Sequence, residues 1–231
     1  MKLRMALLII LALTLLAPIS PGDAAADENL DNYRGCPMQG SASSQCTQDQ
    51  NRLKNRWRRA PSNNEINYEV TLAAVLQQGE DSDRWSNDDG AEITGYVASV
   101  DDTGGESCNC DSEAEGETDF HINVVTGSSV HSDCSRMIVE ITPRWQHINH
   151  WTFDQVKQEI EHKWVTFRGW MFSDIYHMRE ALNTRRSDAF KCGGKNGPFN
   201  CNGTSGRKLW RRTIWELHPV TSYTVLSGPP H

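Results

Sequence analysis

The chain has 231 residues with 23 Lys or Arg against 30 Asp or Glu, which gives a formal net charge of −7. This acidic balance excludes a global basic field for non-specific binding to polyanions, although a local basic patch is compatible with it. The length and the content of 8 Trp, 6 Phe and 5 Tyr suit a single domain with one hydrophobic core and an irregular N-terminal extension.

Residues 1–26 have the composition of a targeting segment. Lys2 and Arg4 precede an apolar run over 6–17, and small residues follow at 24–26. This order predicts a cleavable secretory signal rather than an uncleaved anchor, because the apolar run is short and a small-residue site follows it. No later apolar run reaches the roughly 18 residues of a bilayer span. We therefore expect a secreted or periplasmic protein without a membrane span.

The chain contains 7 cysteines, which in an exported protein predict disulfides with one thiol left over. We expect Cys36 to pair with Cys46, and Cys192 with Cys201. Each of these pairs would close a short loop rich in Gly, Ser or Asn that has no core of its own.

The other three cysteines leave two interpretations open. Cys108, Cys110 and Cys134, with His131, have the residue types of a zinc site. Their spacing departs from the usual Cys-x-x-Cys knuckles, and export favours oxidation. A disulfide from Cys108 or Cys110 to Cys134 is therefore preferred, with the remaining thiol free.

The part of the chain before the predicted barrel divides into two segments. Residues 27–50 are polar and show no apolar periodicity, which indicates a loop or disordered arm. Residues 51–90 are predicted to be a helical extension, with one helix over 65–78. A basic run in that extension is either a nucleic-acid patch or, more commonly, a solvated charged turn: Arg56, Arg58 and Arg59.

A different periodicity begins at residue 91. Strands are predicted over 91–100, 118–125, 137–144, 163–172 and 213–226, and a helix capped by Thr152 over 151–162. Gly95 indicates a bulge or tight coil. Three strands, a helix and two strands are the order of the OB-fold, a mainly β, five-stranded Greek-key barrel with its helix between strands three and four. We therefore predict an OB-like domain over 91–227, in which 188–207 is either a ligand loop or an insertion held by a disulfide.

Six short motifs carry a resemblance. They are G-Y-V near Gly95, G-E-S-C-N-C over 105–110, D-F-H-I from Asp119, V-E-I-T-P-R from Val139, R-G-W with D-I-Y-H over 168–177, and W-E-L-H-P-V-T from Trp215. In these motifs the chain resembles a group of exported bacterial proteins to which no activity is assigned. The resemblance implies an OB-like barrel and carries over no catalytic residue.

One predicted surface suits ligand binding. If strands one to three pair in order, their outward residues share the usual OB-fold binding face: Tyr96, Asp119, His121, Asn123, Glu140, Thr142 and Arg144. A Tyr for stacking, an Arg for an anion and short polar groups suit a sugar or a nucleotide. The alternative is an ordinary solvent-facing sheet. Our first hypothesis is an exported binding module for an oligosaccharide or nucleic-acid-type ligand.

Histidines recur beside carboxylates and suggest a second function. The sequence predicts no cofactor, with a divalent metal as the alternative; the candidate ligands of such a metal are Asp119, His121, His177 and His218. The second hypothesis is accordingly a metal-dependent hydrolase, for instance of phosphodiesters. The alternative is that each histidine is structural; in particular, we expect His218 to contact a carboxylate or backbone group, with Glu216 on the same strand face. A third hypothesis is a partner-binding envelope protein that uses the arm over 27–50 or the loop near Cys192.

Overall fold

The computed structural model describes residues 28–184, 199–200 and 207–230, with the backbone alone at 199–200 and 207–208. The predicted signal over 1–26 and the predicted Cys192 to Cys201 disulfide lie outside these residues. Within the described part, the longest helices are too short or too polar to cross a membrane.

The segment predicted to be a disordered arm is ordered from residue 28 onward. It contains a hairpin, β1 (Asn32–Tyr33) with β2 (Cys36–Pro37), and the helix α1 (Gln45–Lys54). The segment can be ordered without an apolar stripe because polar contacts hold it to the rest of the protein. The side-chain amide of buried Asn51, for example, donates to the carbonyl oxygen of Gln39 and to Ser107 Oγ.

The predicted helix over 65–78 is mostly absent. A 3₁₀ turn at Asn63–Glu65 and a single helical turn, α2 (Leu72–Val75), replace it. The reason is that Ile66 forms a β-bridge with Gly90, and the amide nitrogen of Asn67 donates to the carbonyl oxygen of Gly90 over 2.8 Å. These contacts extend the chain where the apolar spacing indicates a helix.

Five strands form a closed barrel: β3 (Gly90–Asp102), β4 (Phe120–Val125), β5 (Met137–Ile141), β6 (Trp164–Ser173) and β9 (Trp215–Val225). Their order around the barrel is β3-β4-β5-β9-β6, with β5 and β9 parallel and the other neighbours antiparallel. Two short strands, β7 (Phe199–Asn200) and β8 (Arg207–Lys208), pair separately. The mainly β, OB-fold-like architecture is confirmed.

Two helices connect β5 to β6. The helix α4 (Phe153–Ile160) begins at Thr152 with a capping box, which confirms the predicted helix. The helix α3 (Pro143–Asn149) was not predicted, because the alternation over 137–144 indicates a strand that continues to Arg144. Pro143 instead occupies the first turn of α3 and Thr142 is the residue before it, so Thr142 and Arg144 leave the sheet.

The barrel interior is filled by alternate residues of the strands, including Ile122, Val139, Phe167 and Leu217, all without exposed surface. Gly95 faces a close approach rather than a bulge: a Cβ there would lie 2.4 Å from Val124 Cγ1 and 2.6 Å from Leu72 Cδ2. The register shift of β3 against β4 falls instead between Val97 and Ser99. The glycine therefore lets α2 close one side of the barrel.

Candidate metal centre

The predicted binding face of β4 and β5 is not open to solvent. Asp119, Asn123 and Glu140 are each at most 4% exposed, and Thr142 and Arg144 are buried as well. The side chain of His121 is 16% exposed, and Tyr96 is half-buried with its ring against Trp164. These residues therefore form neither an ordinary solvent-facing sheet, which was the alternative, nor a face that is open to a ligand. The strand alternation was read correctly, but a sequence pattern does not show that another segment of the same chain covers the polar face.

The contacts of Arg144 illustrate how the N-terminal segment covers this face. Its Nε donates to the carbonyl oxygen of Leu30 over 2.8 Å, its Nη1 to Asn55 Oδ1 over 2.7 Å and its Nη2 to the carbonyl oxygen of Cys36 over 2.8 Å. The guanidinium predicted to bind an anion is thus fully engaged by the N-terminal segment. Asn123 is instead engaged by the neighbouring strand, since its amide donates to Ser99 Oγ of β3 over 2.8 Å.

A disulfide also holds the N-terminal segment over 28–60 in place, and we call this segment the cover because it lies over the polar face of β4 and β5. Cys36 is bonded to Cys110, which lies 74 residues later, and Cys46 and Cys134 are disulfide-bonded too. The predicted pairing of Cys36 with Cys46 is therefore wrong, because proximity in sequence does not reveal that the hairpin folds back on the loop before β4.

The same finding corrects the prediction for the other cysteines. Cys110 and Cys134 are disulfide-bonded, and Cys108 is a buried free thiol. A disulfide from Cys108 or Cys110 to Cys134 and a zinc site that includes Cys110 and Cys134 are both excluded by the Cys36 to Cys110 bond and the free Cys108. The leftover thiol predicted from the odd cysteine count is found at Cys108.

Beneath the cover, three carboxylates surround one histidine. His218 Nδ1 lies 2.9 Å from Glu140 Oε2 and 3.2 Å from Glu216 Oε2, while its Nε2 lies 3.8 Å from Asp119 Oδ2. Glu216 and His218 share one side of β9, as predicted. The parallel pairing of β5 with β9, in which Ile138 faces Glu216, places Glu140 beside them. Asp119 immediately precedes β4 and completes the cluster.

The electrostatics of the cluster follow from its burial. Burial alone would lower the pKa of His218, but the charge of Glu140 and the hydrogen bonds that the ring donates to Glu140 and Glu216 raise the pKa to about 10. Burial raises the pKa of Asp119 to about 7, opposed by His218. For Glu140, His218 and Lys54 outweigh burial and hold its pKa well below the ordinary value. The imidazolium of His218 is thus the cation that compensates the carboxylates at neutral pH.

Four buried atoms of the cluster have no hydrogen-bond partner among the described residues: Asp119 Oδ1, Glu140 Oε2, Glu216 Oε1 and His218 Nε2. Glu140 Oε2 and Glu216 Oε1 nevertheless lie in close ion pairs with His218 and Arg211, whereas His218 Nε2 is 3.8 Å from the nearest Asp119 oxygen. Buried polar atoms are rarely left unpaired, and such exceptions often mark a site for an ion or water. Ligand atoms of Asp119, Glu140 and His218 all lie within 4.8 Å of one another, so this set could hold a metal ion. Two carboxylates and an imidazole suit Mn²⁺ or Zn²⁺.

A second possible ligand set shares Asp119. Ligand atoms of Glu106, Cys108 and Asp119 also lie within 4.8 Å of one another. Cys108 Sγ is 3.4 Å from Glu106 Oε2 and 3.7 Å from Asp119 Oδ2. Burial and the Asp119 carboxylate raise the pKa of the thiol, so Cys108 is a neutral neighbour of the cluster.

The structure separates the four predicted metal ligands. Asp119 and His218 converge. His121 lies beside the cluster, with its Nδ1 3.3 Å from Glu140 Oε1. His177 belongs to another group, with its Nδ1 2.5 Å from Asp174 Oδ2 and its Nε2 3.5 Å from Glu180 Oε2. Glu140 was not among the predicted metal ligands, because its position beside His218 depends on the pairing of β5 with β9.

A surface cavity is bordered by Glu106, a neighbour of Asp119. It has a volume of about 440 Å³ and is lined by Lys54, Glu106, Asp174, His177 and neighbouring residues of α1. Lys54 Nζ is 2.8 Å from Glu106 Oε2, and Glu106 in turn borders Cys108 and Asp119. Glu106 therefore connects the cavity wall to the buried carboxylates.

Buried Arg211 links the other side of the cavity to the cluster. Its Nη2 lies 2.6 Å from Glu216 Oε1, and its Nη1 lies 3.5 Å from Asp174 Oδ2. The guanidinium thus bridges a carboxylate of the cluster and one of the cavity, and it compensates part of their charge.

Comparison with known proteins adds no relative: no family model, no curated protein and no solved structure matches the chain.

Proposed function

We propose that the protein is an exported, metal-dependent hydrolase whose divalent cation is bound by Asp119, Glu140 and His218. The observation that supports this proposal is that two buried atoms of one compact ligand set, Asp119 Oδ1 and His218 Nε2, make no hydrogen bond in the described part of the chain. A cation would satisfy both atoms and replace the proton of His218. Export is proposed from the composition of residues 1–26.

Hydrolysis is the chemistry that such a centre supplies most directly. A bound divalent cation lowers the pKa of a coordinated water and so provides hydroxide near neutral pH. A cation held by Asp119, Glu140 and His218 would supply this hydroxide for hydrolysis of a phosphodiester, in which phosphorus would gain a bond to the water-derived oxygen and lose its bond to the leaving oxygen. Lys54 and His177 line the cavity where that substrate would enter. The Lys54 ammonium would attract the phosphate, and the His177 imidazolium would give its proton to the leaving oxygen.

The test combines metal content with activity. Untagged mature protein is loaded with Mn²⁺ or Zn²⁺, dialysed and analysed for metal, and then assayed on bis(p-nitrophenyl) phosphate with and without EDTA. We expect about one equivalent of metal and EDTA-sensitive hydrolysis, both lost in Asp119→Asn and Glu140→Gln. His147→Gln, a substitution of a half-exposed histidine near Glu28, is the matched control and should retain both. Folded wild-type protein that binds neither metal would refute the proposal.

A second function is favoured by a separate aromatic groove. A cavity of about 490 Å³ is lined by Tyr33, Phe120, Trp151 and Phe153, together with polar residues that include Gln146. Oε1 of buried Gln146 has no hydrogen-bond partner among the described residues. Aromatic faces with a free acceptor suit a sugar ring that bears a donor. We therefore propose this groove as the binding site for an oligosaccharide. Calorimetric titration of wild type and Trp151→Ala with chitotetraose tests it, and absent binding to the wild type would remove it.

A further inference from the structure

A second charged cavity lies apart from the cluster of carboxylates around His218. It has a volume of about 470 Å³ and is lined by Arg56, Trp57, Arg58, Arg59 and Trp170, with Met38, Glu65 and Asp88 at its margin. We call it the Arg-Trp pocket. The basic run that the sequence analysis noted thus does not form an isolated charged turn, because β6 contributes Trp170 to the same cavity.

Aromatic and cationic groups alternate in the Arg-Trp pocket. The guanidinium carbon of Arg59 lies 5.0 Å from the centroid of Trp170, and that of Arg56 lies 5.2 Å from the same centroid. Arg58 is 5.3 Å from the centroid of Trp57. Stacked tryptophan and guanidinium planes are the surfaces on which proteins hold unpaired bases and their phosphates.

The two outer arginines are accessible. The side chains of Arg58 and Arg59 are 71% and 61% exposed, and their partners, Asp31 and Glu65, are partly exposed as well. An exposed ion pair with a single contact, such as Arg58 Nη2 to Asp31 Oδ2, contributes little net stability, about 0–1 kcal/mol. A phosphate can therefore compete readily for Arg58, whereas at Arg59 it would have to replace both hydrogen bonds to Glu65 with a bidentate pair of its own.

Arg56 forms the fixed base of the pocket. Its Nη1 donates to the carbonyl oxygen of Asn87 and its Nη2 to that of Met171, each over 2.7 Å. Its Nε is buried without a hydrogen-bond partner among the described residues. Because these partners are neutral carbonyl groups, no carboxylate bonded to Arg56 in the described part of the chain cancels its charge. The floor of the pocket consequently carries a positive charge, which the Asp88 carboxylate in the same pocket offsets in part.

We propose that the Arg-Trp pocket binds a single-stranded oligonucleotide, with phosphates on Arg58 and Arg59 and a base stacked on Trp57. Arg56 also connects the pocket to the carboxylate cluster around His218, since its Nη2 lies 3.4 Å from the carbonyl oxygen of His218. Only the idea that the bound strand is a substrate rests on the proposed function. Binding itself is independent of the metal.

The binding experiment is done in EDTA, so that hydrolysis plays no part. Fluorescence anisotropy of 5′-labelled oligothymidylate of 12 nucleotides is measured at several salt concentrations. We expect Arg58→Ala/Arg59→Ala to weaken binding at least tenfold and to reduce the slope of log affinity against log salt by about 1.4, the value for two phosphate contacts on a single strand. Trp57→Ala should weaken binding about fivefold or more, because base stacking contributes about 1–3 kcal/mol per base.

Arg52→Ala is the matched control, because Arg52 is an exposed arginine of α1 paired with Asp49 and lies outside the pocket. It should bind as the wild type does. No binding by folded wild type, or equal loss in Arg52→Ala and in the pocket variants, would overturn the proposal. Oligogalacturonate that binds as tightly, with no effect of Trp57→Ala, would also overturn it by showing a general anion site. If oligothymidylate binds but no metal does, the pocket stands and the hydrolase proposal falls.

Discussion

Nη1 of Arg144 donates to Oδ1 of Asn55 over 2.7 Å, although 89 residues separate the two in the chain. The same amide side chain of Asn55 donates from Nδ2 to the carbonyl oxygen of Cys108 over 2.7 Å. Two polar residues thus join the N-terminal segment, the loop before β4 and the start of α3. The buried carboxylates of the cluster lie under this junction.

Arg144→Met is expected to lower the free energy of unfolding by about 3 kcal/mol, because three acceptors lose a charged donor in a buried site. Arg144→Lys should cost less, since it keeps the charge but reaches fewer of those acceptors. Urea denaturation under oxidising conditions measures both. Arg52→Met is the control, expected within about 0.5 kcal/mol of wild type. A loss of that small size for Arg144→Met would show that the cover is held by other contacts.

Removal of the bond between Cys36 and Cys110 should lower stability by about 4 kcal/mol, because the bond closes a long loop in the unfolded chain. The variant is Cys36→Ser/Cys110→Ser, and chemical denaturation gives the value. Limited proteolysis should then cut the segment over 28–60 first. Cys108→Ser leaves every disulfide intact and serves as the control. If both variants resist protease like the wild type, hydrogen bonds alone hold the cover.

The interaction between Asp174 and His177 should depend on pH. Burial opposes the imidazolium, but Asp174 outweighs it and raises the pKa of His177, with smaller effects from Arg211 and Glu216; Glu180 lies nearby. A raised folded pKa contributes stability below the unfolded value of about 6.5, and that contribution disappears as pH rises through the folded pKa. Wild type should therefore exceed His177→Gln in stability at pH 5.5, with the difference shrinking toward pH 9. A difference that does not change with pH would contradict this account.

His218→Ala should destabilise the metal-free protein by at least about 1–3 kcal/mol, because Glu140 and Glu216 lose their shared buried partner. Thermal unfolding in EDTA isolates this structural contribution from metal binding. Since the remaining carboxylates repel one another, His218→Ala/Glu140→Gln should recover part of the loss. Additive losses in the double variant would mean that the two side chains do not interact.

The barrel was predictable from the sequence because its strands show their alternation locally, and a helix with a clear cap lies between the third and fourth. The same local signals place Glu216 beside His218. The approach of Glu140 to His218 depends on the parallel pairing of β5 and β9, which no local pattern encodes. The cover was missed for a related reason. Residues such as Asn51 and Asn55 are buried through hydrogen bonds, and a polar sequence does not distinguish such burial from exposure.

The parallel contact between β5 and β9 also has a consequence for how the chain acquires its structure. Val139 pairs with Leu217, so the barrel stays open until β9 is present. Contacts between such distant residues slow folding, because a long loop must be ordered before any of them forms. A chain that emerges from its N-terminus would meanwhile expose β5 and β6 as unpaired edges, which are sites for aggregation. Truncation before Trp215 should therefore yield insoluble protein rather than a smaller folded domain.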